Sequence, residues 1–125
     1  MILTSWELVL LIGIGAGLGA VCRYLTGKIV SRFVYWEFPI GTFFVNVLGS
    51  FILGFLFSEG VNNQHFMILG IGFCGGLSTF STLNMELLIL LESKKYKLFL
   101  QYLTSTYGLG FIACMTGLVV GLSLH

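Results

Sequence analysis

The residues with the most capacity for chemistry lie in one apolar stretch, Gly70-Ile-Gly-Phe-Cys-Gly-Gly-Leu-Ser-Thr-Phe-Ser-Thr-Leu-Asn-Met-Glu86. A glycine pair, Gly75 and Gly76, is followed at once by the hydroxyls of Ser78, Thr79, Ser81 and Thr82. Glycines weaken a helix, and nearby hydroxyls can re-satisfy backbone groups that a break sets free. Irregular backbone at membrane depth survives only where protein buries it or where it lines a cavity, and freed carbonyls there can ligate a small cation. Two readings stay open from these residues. One is a helix broken at its centre, over residues 75–78, to hold an ion. The other is a kinked, tightly packed helix whose Ser and Thr bond their own carbonyls.

The other polar groups within apolar stretches are few. Asn46 has Thr42 one turn before it, and a buried amide in lipid must find partners, either as interhelical glue or as a pore contact. Glu86 follows the glycine break, and Arg23 lies near the end of the first stretch. Both are functional candidates by default, although either can snorkel to the interface. Tyr102 and Thr106 share a face at i, i+4, with Gly110 continuing the line. Such a strip suits either a water-filled path or helix packing. No catalytic constellation is present. His65 and His125 have no metal partners, and the hydroxyls have no base placed to activate them. The sequence therefore reads as a non-enzyme. Cys22, Cys74 and Cys114 are far apart and show no metal-ligand spacing, so they read as small packing residues.

The elements that must position these groups follow from composition. The chain has 125 residues, 57% hydrophobic and only 9% charged, with a mean hydropathy of +1.00. A soluble domain of this size could not keep so much apolar surface from water. The net charge of +1 leaves no footprint for nucleic acid. A helix crossing the bilayer core needs about 20 mostly apolar residues. Four segments meet that need, over about residues 5–25, 38–57, 66–91 and 98–124. Polar breaks at 28–37, 58–65 and 92–97 separate them and leave no room for a soluble domain. The apolar runs are continuous and not alternating, which excludes a β-barrel. The chain thus reads as a single all-α unit, residues 1–125, of four transmembrane helices. The N-terminal run lacks a basic start and exceeds signal-peptide length, so it reads as a retained span.

Seventeen glycines run through all four spans, and small residues at three- or four-residue spacing let helix backbones approach closely in lipid. The GAGLGA string at 15–20 follows no strand, so it is not a dinucleotide-binding loop. Arg23, Lys28 and Arg32 flank the first connection, and Lys94, Lys95 and Lys97 the third. All six basic residues then lie on one side, which the positive-inside rule makes cytoplasmic. Both termini are expected outside the cell membrane, in one fixed orientation.

The string Gly-Phe-Cys-Gly-Gly-Leu-Ser-Thr-Phe-Ser-Thr at 72–82, with Glu86 after it, resembles the signature of the CrcB/Fluc fluoride channels. Gly17-Leu-Gly-Ala-Val-Cys-Arg-Tyr24 and Pro39-Ile-Gly-Thr-Phe-Phe-Val-Asn46 match in order, and Tyr102 and Thr106 fit the polar track of the fourth helix. The resemblance implies a passive, selective fluoride exporter that protects microbes. It implies a dimer of four-helix subunits in antiparallel orientation, with two pores. It further implies that backbone oxygens at Gly75 and Ser78 hold a structural sodium ion at the dimer centre. Phe80 and Asn46 match pore residues, with Ser81, Thr82, Tyr102 and Thr106 along the path. Arg23 matches an entrance residue, and Thr42 and Glu86 stand with it as entrance or structural groups.

Two departures bear on function. The family motif continues with a second pore phenylalanine, where this chain has Leu83. Its one-sided basic residues also oppose insertion in both orientations, which points to pairing with an oppositely oriented paralogue. A small multidrug transporter is the competing reading, since it too has four helices and antiparallel dimers. It needs a carboxylate embedded in the first span, where only Glu7 is available, close to the end. A structural subunit without a pore is the third reading, but simple packing does not require clustered hydroxyls at a glycine break.

Overall fold

Apolar chain in lipid must satisfy each backbone N–H and C=O within its own segment, so long apolar runs become helices. The computed structural model describes residues 3–33, 39–58, 60 and 64–124. All regular structure among them is helical, with four helices long and apolar enough to cross a membrane. Helix α1 spans Ser5–Phe33 and α2 spans Ile40–Phe57. The third span begins as a π-helix, Phe66–Cys74, and continues as α3, Gly75–Leu77, and α4, Phe80–Glu92. Helix α5 spans Tyr96–Ser123. The expected start of the second span at Phe38, the end of the first connection at Glu37, and His125 lie outside the described residues.

Helix α1 opens on a capping box. The Glu7 N–H donates to Thr4 Oγ1 at 3.3 Å, and the Thr4 N–H donates to Glu7 Oε2 at 3.2 Å. The helix runs on past the expected end at residue 25. At 1.5 Å per residue it is roughly 43 Å long, more than the ~30 Å of hydrocarbon, so its basic last turns with Lys28 and Arg32 reach the interface. Beyond the opposite end of the layer, Gln64 pairs with both backbone groups of Leu3. Its Oε1 accepts the Leu3 N–H at 3.2 Å, and its Nε2 donates to the Leu3 carbonyl at 3.4 Å.

The third span differs from the expected break. Gly75 and Gly76 stay helical, and only Ser78 (φ −79°, ψ 155°) and Thr79 (φ −144°, ψ 117°) are extended. The axis turns by 23°. The break expected over residues 75–78 is therefore only a local interruption at Ser78 and Thr79, and not a parting of two half-helices. Before it, the wide π turn carries the Gly75 N–H to the Gly70 carbonyl, five residues back.

Glycines explain the helix pairing. A Cβ added at Gly15 would come within 2.9 Å of the Ile68 carbonyl oxygen, and one at Gly72 within 2.7 Å of that of Ile12. Gly19 and Gly76 press still closer, on Phe73 and Ala16 respectively. Helix α1 and the third span therefore meet backbone to backbone. Helices α2 and α5 do the same through Gly54 on Cys114 and Gly117 on Phe51. Close backbone contact of this kind is what holds helices together where lipid removes the hydrophobic drive.

The buried side-chain cluster is small: Leu83, Leu87, Leu90 and Tyr102, packed against Phe43, Leu98, Phe99 and Leu103. Most other large apolar side chains face outward, as Trp6, Leu18, Ile71 and Phe111 do. In a membrane they face lipid or a partner. Of the cysteines, Cys74 is buried and Cys114 half-buried, in keeping with packing roles, whereas Cys22 is exposed on α1.

Candidate functional site

Four elements converge where the third span is interrupted. Asn46, from the middle of α2, points its amide at Thr79. Its Oδ1 accepts the Thr79 N–H at 2.7 Å, and its Nδ2 donates to the Thr79 carbonyl at 3.2 Å. One side chain thus satisfies both backbone groups of an extended residue that has left the helix. Thr79 also caps α4, its Oγ1 accepting the Thr82 N–H at 3.2 Å. A Ser78 hydroxyl bonded to the Cys74 carbonyl at 2.8 Å closes the other side. Both backbone groups of Thr79 and the Thr82 N–H thus find partners, as burial in lipid requires.

Beside this knot lies an open groove of about 480 Å³. Asn46, Ser50, Thr79 and Thr106 give it a polar wall, and Phe80, Leu83 and Phe111 an apolar one. No charged side chain among the described residues lines it. Thr106 is only 6% exposed, and its hydroxyl has no hydrogen-bond partner among the described residues. Asn46 keeps one amide hydrogen beyond its bond to Thr79. The groove therefore offers weak, neutral donors in series. Phe80 is 67% exposed at its rim, so the groove is open along one side and not an enclosed tube.

The sequence-derived candidates do not gather at one place. Asn46, Ser78, Phe80, Leu83 and Thr106 come together in the groove. Thr42, Glu86 and Tyr102 form a second cluster, in which the Thr42 hydroxyl donates to Glu86 Oε1 at 2.5 Å and the Tyr102 hydroxyl stands beside both. Tyr102 is fully buried against the leucine cluster. Gly75 and Ser78 line a smaller pocket of about 110 Å³ behind the groove, together with Gly49, Ser50, Gly70 and Cys74. Ser81 and Thr82 are exposed and Arg23 is half-buried on α1; none of the three lines the groove of this chain.

Two contributors were missed. Ser50 lines both pockets, and its hydroxyl donates to the Asn46 carbonyl at 2.8 Å. It continues the Thr42, Asn46 line at the same four-residue step, so the signal was present. Cys114 likewise extends the Tyr102, Thr106, Gly110 line into the groove. Thr79 was visible only as one hydroxyl among several. Its part depends on α2 standing opposite it, which no local pattern reveals.

Residues 10–118 match the family described as CrcB-like protein, Camphor Resistance (CrcB). The chain is 42% identical over 111 residues to "Fluoride-specific ion channel FluC 1" of Listeria monocytogenes serotype 4b, covering 89% of this chain and 94% of that protein. It is 42% identical over 109 residues to "Fluoride-specific ion channel FluC 2" of Rhodococcus jostii, covering 87% and 94%. Against "Fluoride-specific ion channel FluC 2" of Bacillus thuringiensis subsp. konkukian the identity is 36% over 112 residues, covering 90% and 95%.

Proposed function

This chain belongs to the CrcB-like family, and on that footing we propose that it is a subunit of a fluoride channel that lets the anion leave the cytoplasm passively and so lowers its toxicity. The observation that carries the reading is the groove, with its neutral donors at Asn46, Thr79 and Thr106 beside the Phe80 ring and with no fixed charge in its lining among the described residues. Fluoride is small and strongly hydrated. A cationic site tight enough to strip its water would also trap it, whereas weak donors in series permit both entry and exit. The positive edge of a phenyl ring adds a further weak anion contact.

The finer parts of the proposal rest on single features. The groove is open along one side, with Phe80 exposed at its rim, and a second subunit in opposite orientation would close it. Six basic residues on one side argue that this second subunit is a paralogue and that both termini of this chain lie outside. A structural sodium ion fits the small pocket of Gly75 and Ser78, where backbone is interrupted and oxygen ligands suit a hard cation. When bound, it would supply a fixed positive charge at the subunit interface and clamp the two halves together. Gly75 is exposed with nothing near its α-carbon face, which leaves room for the other subunit's ligands.

The carrier reading loses its one carboxylate, because Glu7 is exposed and committed to the α1 cap. Reconstitution in liposomes with a fluoride electrode tests the proposal. Fluoride efflux is expected, and Phe80→Ile is expected to abolish it. Protection from toxic cations without fluoride flux would overturn the channel. Robust flux from this chain with no second subunit would overturn the paralogue pairing alone.

A further inference from the structure

The interruption at Ser78 and Thr79 redirects two particular N–H groups. In an unbroken helix the Thr79 N–H would go to the Gly75 carbonyl and the Thr82 N–H to the Ser78 carbonyl. Here the first goes to Asn46 Oδ1 at 2.7 Å, and the second to Thr79 Oγ1 at 3.2 Å. The neighbouring carbonyls are treated differently. That of Cys74 accepts from both the backbone N–H and the hydroxyl of Ser78, at 2.9 and 2.8 Å. That of Thr79 accepts from Asn46 Nδ2. The carbonyls of Gly75 and Ser78 thus lose the donors an unbroken helix would give them, and both residues line the 110 Å³ pocket.

We infer that Asn46 and Thr79 are the positioning residues of the cation site, acting by drawing away the N–H groups that would otherwise occupy its two carbonyl oxygens. The inference rests on the sodium reading above and extends it to residues that do not themselves reach the ion. A carbonyl that already accepts an N–H offers a hard cation less lone-pair density and a blocked approach. Asn46 acts from α2, through the backbone of Thr79; Thr79 acts within its own span, as the cap of α4. Because Asn46 also lines the groove, one side chain shapes two adjacent sites. Cation affinity and the anion path are then coupled through its amide.

The test reads sodium and not fluoride. In the purified channel assembly, the thermal unfolding midpoint is followed as sodium replaces N-methylglucamine. Sodium is expected to raise the midpoint of the unaltered protein. Asn46→Leu and the near-isosteric Thr79→Val are expected to weaken apparent sodium affinity about tenfold or more, the usual cost of losing a group that orients a metal ligand. Thr79→Ser keeps the hydroxyl and is expected to keep the affinity. A lost pore contact would not move this readout, so the positioning role is separable from any role of Asn46 in conduction. Should Asn46→Leu fail to fold, Thr79→Val decides alone. A folded Thr79→Val protein with unaltered sodium affinity overturns the inference and leaves the sodium site standing. Absence of any sodium shift in the unaltered protein removes the site and the inference together.

Discussion

The third span meets its neighbours in two unlike ways. Toward α1, Gly72 and Gly76 press on the backbone of Ile12 and Ala16, with no side chain between. Toward α2 the central contact is one amide, Asn46, holding an extended residue by two hydrogen bonds beside an open groove. The first contact is undirected dispersion, and it tolerates no added atom. The second is directional, and it tolerates empty space at its side. The difference teaches that location and local conformation are set separately. The glycine seam decides where the span lies, and the amide decides where its helix is interrupted.

Substitutions on the two flanks should therefore fail differently. Gly76→Leu is expected to cost about 3 kcal/mol or more, since backbone must move apart to admit the side chain, and detergent unfolding would show it as loss of folded protein. Unaltered stability would remove the seam from the account. Asn46→Leu comes next, at about 1–3 kcal/mol for the backbone groups left unpaired at Thr79. Fluoride efflux should fall to background while circular dichroism still reports helix; preserved flux would erase the distinction between flanks.

Leu83→Phe has a smaller effect. Leu83 is 3% exposed and packed with Leu87 and Tyr102, so restoring a ring there is expected to overpack the cluster by about 1 kcal/mol and not simply to add a pore contact. Higher stability with higher flux would show that the position was waiting for the ring. The smallest effect belongs to Gln64→Leu. It breaks an amide pairing like that of Asn46, but outside the apolar layer, where water can substitute. A change within about 0.5 kcal/mol and unaltered flux are expected.

The spans were legible because bilayer thickness translates directly into a count of apolar residues. Their ends were less so. The thickness rule says how much chain must be apolar, not where hydrogen bonding stops, and α1 carries Lys28 and Arg32 onward as helix to Phe33. The glycine pair drew attention to the right region and the wrong residues. Gly76 is small to admit Ala16, while the backbone leaves the helix at Ser78 and Thr79, where Asn46 offers replacement bonds. Asn46 and Thr106 could be named from residue type and depth alone, and Phe80 only through the motif shared with the family. Ser50 carried a signal as the next step of the Thr42, Asn46 line, but Thr79 did not, because its part arises from the register between α2 and the third span.

The amide of Asn46 presents to Thr79 what a neighbouring β-strand would present, one acceptor and one donor in a single plane. Gln64 does the same for Leu3. Only Asn and Gln carry that pair on a side chain. Asp forfeits the donor, Ser and Thr offer a single atom, and Gln overshoots by a methylene once the distance between helices is fixed. Position 46 therefore has an alphabet of one letter. In a randomised library selected for fluoride resistance it should return Asn alone, while position 64 returns almost anything that dissolves.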